Sequence, residues 1–378
     1  MNESMEQPNA NKANPHPRLA SLDILRGFDM FWIVGGGALL GSLITYLGWP
    51  CLQPVNEHLE HADWIGFRAW DLIFPLFIFI SGTAMPFSFD KYLSSQRRGA
   101  LYVKVLKRAI LLMALGLIYN GLLKTLDVAN LRFPSVLGLI GLAYLWASIV
   151  VIHFKPRYQA MWAAAILIGY CIVMNVVPVP GHGAGVLTLE GNFASWIDRL
   201  VVPGKLYSGV SDPEGLLMTI PASVLAIAGA LAGALIKNQA IGSYRKCLWM
   251  AVAGIVCLCL GLGWSHYFPM IKKLWTSSFV MYAVGWSLLL LTLFYLVVDV
   301  WGFKKIFFPL LLIGVNPLTI YLVSHRIINF KPISEFFFGG LARISGEPLA
   351  PVVLNAGVIV CELAFLLVLY RKKIFLRL

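Results

Sequence analysis

His58 and His61 stand among Glu57, Glu60 and Asp63 in one polar stretch, and Asp71 opens a strongly apolar run ten residues beyond His61. An imidazole changes charge near neutral pH, so a histidine beside carboxylates has the composition of a proton-transfer group. A carboxylate at a helix start also meets the positive end of the helix dipole, which would make Asp71 a cap. The sharper expectation is that Asp71 faces inward and orients His61. The i, i+3 spacing of His58 and His61 would suit a metal, yet no further His, Cys or carboxylate cluster completes a shell, and no metal is expected.

Other chemistry-bearing residues are scattered along the chain. Asp23, Arg26 and Asp29 recur every three residues, within one arc of a helix. They read either as an ion network at a membrane rim or, through Arg26 with Lys107 and Arg108, as a patch for an anionic ligand. Asn316 precedes Pro317 inside an apolar run, where proline removes a backbone donor and disfavours helix before it. The break either lines a cavity or is a simple kink. Ser211-Asp212-Pro213-Glu214 has the composition of a helix start, and its acidic groups would also suit a cationic or polyhydroxyl ligand. Lys272-Lys273-Leu274-Trp275 reads as an interfacial anchor. Glu362 lies within the last apolar run, where an ionisable group calls for a partner.

The elements that must position these residues follow from composition. The chain has 378 residues, of which 59% are hydrophobic and only 13% charged, with a mean hydropathy of +0.77. Soluble domains carry about 25% charge. A water-soluble enzyme, a secreted disulfide scaffold and a disordered protein are excluded, and an all-α polytopic membrane protein is predicted. The six cysteines suggest neither disulfide nor metal site. Apolar stretches long enough to span fall at about 22–47, 71–89, 106–123, 134–153, 159–178, 214–236, 246–263, 277–298, 306–324 and 351–370, giving a bundle of about ten helices. Segment 333–345 is too short to span and is expected to be re-entrant or interfacial. Residues 1–19 are expected to form a disordered cytoplasmic lead-in without a signal peptide, and 20–378 a single transmembrane domain.

Placing the N-terminus inside puts 20 of the 30 Lys and Arg residues on the cytoplasmic side, as the positive-inside rule requires. Both termini are then cytoplasmic. The net charge of +12 is thereby a topology signal, and no nucleic-acid partner is expected. The long outer connections 48–70, 179–213 and 325–350 are where a site should lie, although the glycines at 181, 183, 185 and 191 suggest that the second is flexible.

Ser21-Leu-Asp23-x-x-Arg26-Gly27, His61-Ala-x-Trp64-x-Gly66 and Asp71-Leu-Ile-Phe74-Pro75 stand in order along the chain. Asp212-Pro213-Glu214-Gly215-Leu216, Lys273-Leu-Trp275, Gly314-x-Asn316 with Tyr321, and the tail Tyr370-Arg371-Lys372-Lys373 follow them. Together they resemble the heparan-α-glucosaminide N-acetyltransferase family, from about residue 18 to the end. The resemblance implies a transmembrane acyltransferase that takes acetyl from cytoplasmic acetyl-CoA and delivers it to the amine of a glucosamine-type sugar on the far side. It makes His61 the catalytic histidine. Asp71 would fix its tautomer and Asn316 would bond the oxyanion. Arg26, Lys107 and Arg108 would pair the CoA phosphates, and Asp63, Trp64, Glu214 and Trp275 would contact the sugar. His61 would act either as a general base or as an acetyl acceptor. The family's mammalian members carry a lumenal extension that this N-terminus does not show, so a bacterial inner-membrane form is expected, with a homodimer suggested by the family alone. The competing readings are an amino-sugar permease, which a Pro-broken helix and Glu362 would suit, and an acyltransferase for another envelope glycan.

Overall fold

The computed structural model describes residues 19–127 and 129–376, with only the backbone described at Thr125 and His325. The expected lead-in, including Lys12 and Arg18, therefore falls outside the described residues except for Leu19.

Apolar runs without backbone partners in lipid must bond internally, and the described chain is helical accordingly. Its first helices are α1 (Ala20–Leu47), α2 (Ala69–Ser94), α3 (Arg98–Tyr119), α4 (Val136–His153) and α5 (Pro156–Val176). A short amphipathic α6 (Phe193–Val201) precedes α7 (Thr219–Lys237), α8 (Ser243–Ser265) and α9 (Ser277–Val300). Then come the half-helices α10 (Phe308–Val315) and α11 (Pro317–Leu322), an α12 (Phe330–Ser345), and α13 (Ala350–Arg371). Among the described residues extended pairing is confined to two isolated bridges, Arg132 with Gly204 and Val179 with Gly183. The protein is an all-α polytopic membrane protein.

Eight of these helices are long and apolar enough to cross a membrane, against about ten expected. The other two expected spans are present in altered form. α3 carries Lys104, Lys107 and Arg108 in its first half, and the run 306–324 is cut at Asn316, whose φ of −133° and ψ of 45° leave the helix before Pro317. The expected helix at 214–236 starts at Thr219, because Asp212 closes a turn on the Glu214 N–H (3.0 Å) instead of capping a helix. Segment 333–345 lies in α12, which packs against α13 while Phe336 and Phe337 stay exposed.

Small residues set the closest helix contacts, as expected where lipid offers no hydrophobic drive between helices. A Cβ on Gly27 of α1 would sit 1.8 Å from the Leu310 carbonyl oxygen, and one on Gly314 of α10 would sit 1.7 Å from that of Asp23. Gly82 of α2 and Gly229 of α7 form a second such seam, each 2.0 Å from an opposing carbonyl by the same measure. α7 is the most enclosed span, whereas α5, α8 and α13 form the periphery.

The long connections are built structures. Loop 179–213, expected to be flexible, is pinned throughout. Asn192 caps α6 through the Ser195 N–H (2.8 Å), Arg199 donates to the Glu190 and Val210 carbonyls (both 2.8 Å), and the Trp64 indole donates to the Leu187 carbonyl (3.0 Å).

Candidate active site

Asp71 lies in the first turn of α2 with no solvent exposure. Its Oδ2 accepts the backbone N–H groups of Ala62 (3.2 Å) and Arg68 (3.0 Å), and its Oδ1 lies 2.8 Å from His61 Nδ1. The Arg68 guanidinium in turn donates to the His61 carbonyl (3.0 Å). The segment between His61 and Asp71 thus folds back on the carboxylate that orients the ring. His61 itself is half exposed, its side chain retaining 50% of its accessible area, so the ring is anchored on one edge and open on the other.

A third group completes the arrangement. Lys272, in the turn before α9, places Nζ 2.9 Å from His61 Nδ1, 3.2 Å from Nε2 and 3.6 Å from Asp71 Oδ1. An ammonium only donates and an ionised carboxylate only accepts. His61 Nδ1 cannot satisfy both neighbours. It serves Asp71 by carrying the proton, which leaves the Nε2 lone pair to face Lys272 and the solvent side. The network therefore selects the tautomer with a basic Nε2. Burial holds the Lys272 ammonium below the ordinary lysine range, with Asp71 and Glu214 pulling it back up.

Beside this triad sits an acidic pair on one arginine. Arg132 grips Asp212 through two bonds, Nε to Oδ2 at 2.7 Å and Nη2 to Oδ1 at 2.6 Å, and Nη2 also reaches Glu214. The guanidinium stacks 4.8 Å from the Tyr207 ring centre. Burial pushes the Glu214 carboxyl up to about 7, Asp212 pushes it the same way, and Arg132 opposes both. Glu214 thereby stands as an acidic group next to the triad. Nearby, Tyr119 and Tyr321 stack at 5.0 Å, with the Arg326 guanidinium 4.5 Å over Tyr119.

The remaining expected residues divide. Asp63 is exposed beside the triad, and Lys273 donates to its carbonyl (2.9 Å) while lying 5.8 Å over the Trp64 ring. Trp275, expected to contact substrate, is wholly buried. Its indole N–H is spent on the Pro213 carbonyl (3.0 Å), and its left-handed φ of 50° turns the chain into α9. It holds the Asp212–Glu214 turn in place and offers no surface to a ligand. Asn316, expected at an oxyanion, is also committed elsewhere. Its Nδ2 donates to the Ile374 carbonyl (3.0 Å) and its Oδ1 accepts the Leu376 N–H (3.2 Å), which clasps the C-terminal tail to the helix break.

The three basic residues expected to form one patch are placed on separate helix pairs. Arg26 Nη1 donates to Asp23 Oδ1 (3.1 Å) and reaches the Gly314 carbonyl (3.5 Å) at the α1–α10 seam. Arg108 of α3 packs 4.2 Å over the Tyr144 ring of α4, and Lys107 is exposed. The clasped tail creates a cavity of about 600 Å³ at the same end as Asp23, with Tyr370, Arg371 and Lys373 in its wall. Arg371 and Lys373 are candidate anion ligands that charge counting assigns only to topology. Among the described residues no three His, Cys, Asp or Glu side chains come together to hold a metal ion.

Fold and site define a multi-pass helical membrane protein with an oriented histidine in the connection between α1 and α2. A family model described as a domain of unknown function, DUF5009, matches residues 18–125, which contain both His61 and Asp71. The chain is 27% identical to the heparan-α-glucosaminide N-acetyltransferase of Homo sapiens over 95% of its own length and 60% of that protein's. It is 26% identical to the Mus musculus counterpart, over 98% and 63% of the two chains. The resemblance read from the motifs is thus borne out over nearly the whole chain, which spans about three-fifths of the length of these relatives.

Proposed function

We propose that the protein is a transmembrane N-acetyltransferase that uses acetyl-CoA from the cytoplasmic side of a bacterial inner membrane and acetylates the amine of a glucosamine-type sugar on the opposite face. The observation that carries this reading is the His61–Asp71–Lys272 triad, in a chain related along nearly its full length to enzymes of that name.

The donor fits the inner cavity. Arg371 and Lys373 would pair its phosphates, with Arg26 held behind them by Asp23. When bound, acetyl-CoA supplies a thioester carbonyl; the new bond is C–N, the broken bond is C–S, and sulfur leaves with the electron pair. His61 Nε2 takes the proton released by the attacking amine and can return it to the departing thiolate. Asp71 keeps Nδ1 protonated and balances the imidazolium as it forms. Lys272 turns toward the developing oxyanion, a role expected of a donor already placed beside the base. Asp63, Trp64 and the acidic Glu214 line the approach of the amino sugar.

Purified protein with labelled acetyl-CoA and glucosamine tests the proposal. Labelled N-acetylglucosamine from the native chain, lost in His61→Ala with donor binding retained, is the expected result. Label on the protein without sugar would assign the acetyl-histidine route instead of direct transfer. Solute accumulation in proteoliposomes without a donor would replace the transferase with a permease.

A further inference from the structure

α3 has 22 residues, about 33 Å of helix, and carries Lys104, Lys107 and Arg108 within that length. Their depth follows from the neighbouring span. The Tyr102 hydroxyl meets the ring of His153, the last residue of α4, so Tyr102 lies where α4 leaves the membrane. Phe154 packs on the His153 ring and Trp162 on Phe154, both exposed, as in the aromatic belts of bilayer interfaces. Arg108, six residues beyond Tyr102, packs over Tyr144, nine residues before His153. Both counts place it about 10 Å inside that interface, with Lys104 and Lys107 between. Among the described residues no carboxylate pairs with any of the three, and the nearest acid along the chain, Asp90, is spent on Lys237 (2.7 Å). Two are steadied by ring faces instead: Lys104 Nζ lies 5.1 Å over Tyr92 and the Arg108 guanidinium 4.2 Å over Tyr144. Lys104 and Arg108 are one turn apart, where like charges repel. Lys104 and Lys107 are exposed beside exposed Val103, Ile110 and Leu111, and Arg108 is partly exposed.

Charges inside a membrane normally turn into the bundle and pair there. Lys104 and Lys107 face the other way, and long basic side chains so placed carry their heads back to the interface, where lipid phosphates lie. Topology does not demand them, since Arg97 and Arg98 already supply positive charge at this end of the helix. A free anion would have to leave water to reach a cluster below the interface and beside Ile110 and Leu111. A phospholipid brings its phosphate there on its own chains. A zwitterionic headgroup returns a positive charge to the cluster, whereas an anionic one does not. We infer that Lys104, Lys107 and Arg108 bind the headgroup of an anionic phospholipid, with an acyl chain along Val103, Ile110 and Leu111. The site is separate from the His61 triad and from the Arg371 cavity, and it does not require the transfer reaction.

Thermal unfolding of the full chain in dodecyl maltoside, titrated with dioleoylphosphatidylglycerol, dioleoylphosphatidylcholine or inorganic phosphate, tests the site without an acyl donor. Phosphatidylglycerol should raise the unfolding midpoint saturably, and phosphatidylcholine and inorganic phosphate should be at least about tenfold less effective. The double variant Lys104→Gln/Arg108→Gln should need at least about tenfold more phosphatidylglycerol for the same shift. Arg97→Gln/Arg98→Gln, which removes two cations from the start of α3, should respond as the native chain does. Lys104→Gln/Lys107→Gln, at two exposed positions, should show the same weakening and decides the matter if the Arg108 variant elutes as aggregate. A native response in the folded Lys104 variants, or an equal loss in Arg97→Gln/Arg98→Gln, would overturn the inference. So would an equal effect of phosphatidylcholine or inorganic phosphate, or no saturable response to phosphatidylglycerol.

Discussion

At the residue scale the triad makes demands that differ for each member. Asp71→Asn preserves shape but replaces an acceptor oxygen with an NH₂, so the His61 ring loses the partner that fixes its tautomer. The expected loss in turnover is on the order of 10²-fold or more, with folded protein and near-native donor affinity by isothermal titration. Lys272 gives a pH signature. Burial holds its ammonium below the ordinary lysine range, so a required ammonium is lost on raising pH earlier than a free lysine near 10.4 would be. The alkaline limb of the rate profile should lie below that value and should disappear in Lys272→Arg, whose guanidinium stays charged. An unchanged limb would remove Lys272 from the reaction.

The same scale shows what the sequence could reveal. His61 and Asp71 were legible because a carboxylate opening an apolar helix ten residues from a histidine is unusual. Lys272 was not, because it is 211 residues from His61 and a lysine at a membrane rim has a sufficient explanation in topology. The partners of Asn316 escape the sequence for a related reason. Its partners, Ile374 and Leu376, return to it only through the fold, and hydropathy carries no trace of that return.

At the scale of elements, the glycine seams and the pinned loop 179–213 are the features most open to perturbation. Gly314→Ala would drive a methyl into the Asp23 carbonyl, and α1 and α10 must separate to admit it. Overpacking of this kind costs typically about 1–3 kcal/mol, and a lowered unfolding temperature in detergent should show it. Within α6, burial raises the Asp198 carboxyl to about 7; one oxygen accepts the Leu216 N–H at 2.9 Å and the other has no partner among the described residues. A carboxyl whose folded pKa lies above its unfolded value near 3.8 binds its proton more tightly when folded. Its stabilising contribution is complete below the unfolded value and is lost as pH rises toward about 7. Asp198→Asn should flatten that decline and be the more thermostable form at pH 8. A mutant with the same slope as the native protein would show that Asp198 stays ionised.

At the scale of the molecule, the helical spans were the easiest property to read, since backbone bonding in lipid leaves few alternatives to helix. The departures occur where another force competes: four cations in α3, and Pro317 beside Asn316. Sidedness is a further whole-molecule prediction. Cysteines placed at Glu60 and Lys305 should react with a membrane-impermeant maleimide from opposite faces of intact cells, Glu60→Cys from outside and Lys305→Cys only after permeabilisation. Lys305→Cys labelled from outside and Glu60→Cys only after permeabilisation would reverse the assignment of donor and acceptor sides, and labelling of both from one face would refute the topology. If the inner cavity holds the donor, Arg371→Ala and Lys373→Ala should each weaken acetyl-CoA binding several-fold, with a reduced dependence on ionic strength.

The clasp between Asn316 and the segment Ile374–Leu376 has a practical corollary. Anything fused close behind Leu376 pulls on the segment that closes the cavity beside Asp23, so a carboxyl-terminal affinity handle or fluorescent reporter should alter the cavity it is meant to leave undisturbed. An amino-terminal handle, separated from α1 by the residues before Ala20, avoids that tether. Kinetics compared between the two arrangements would read the strength of the clasp directly.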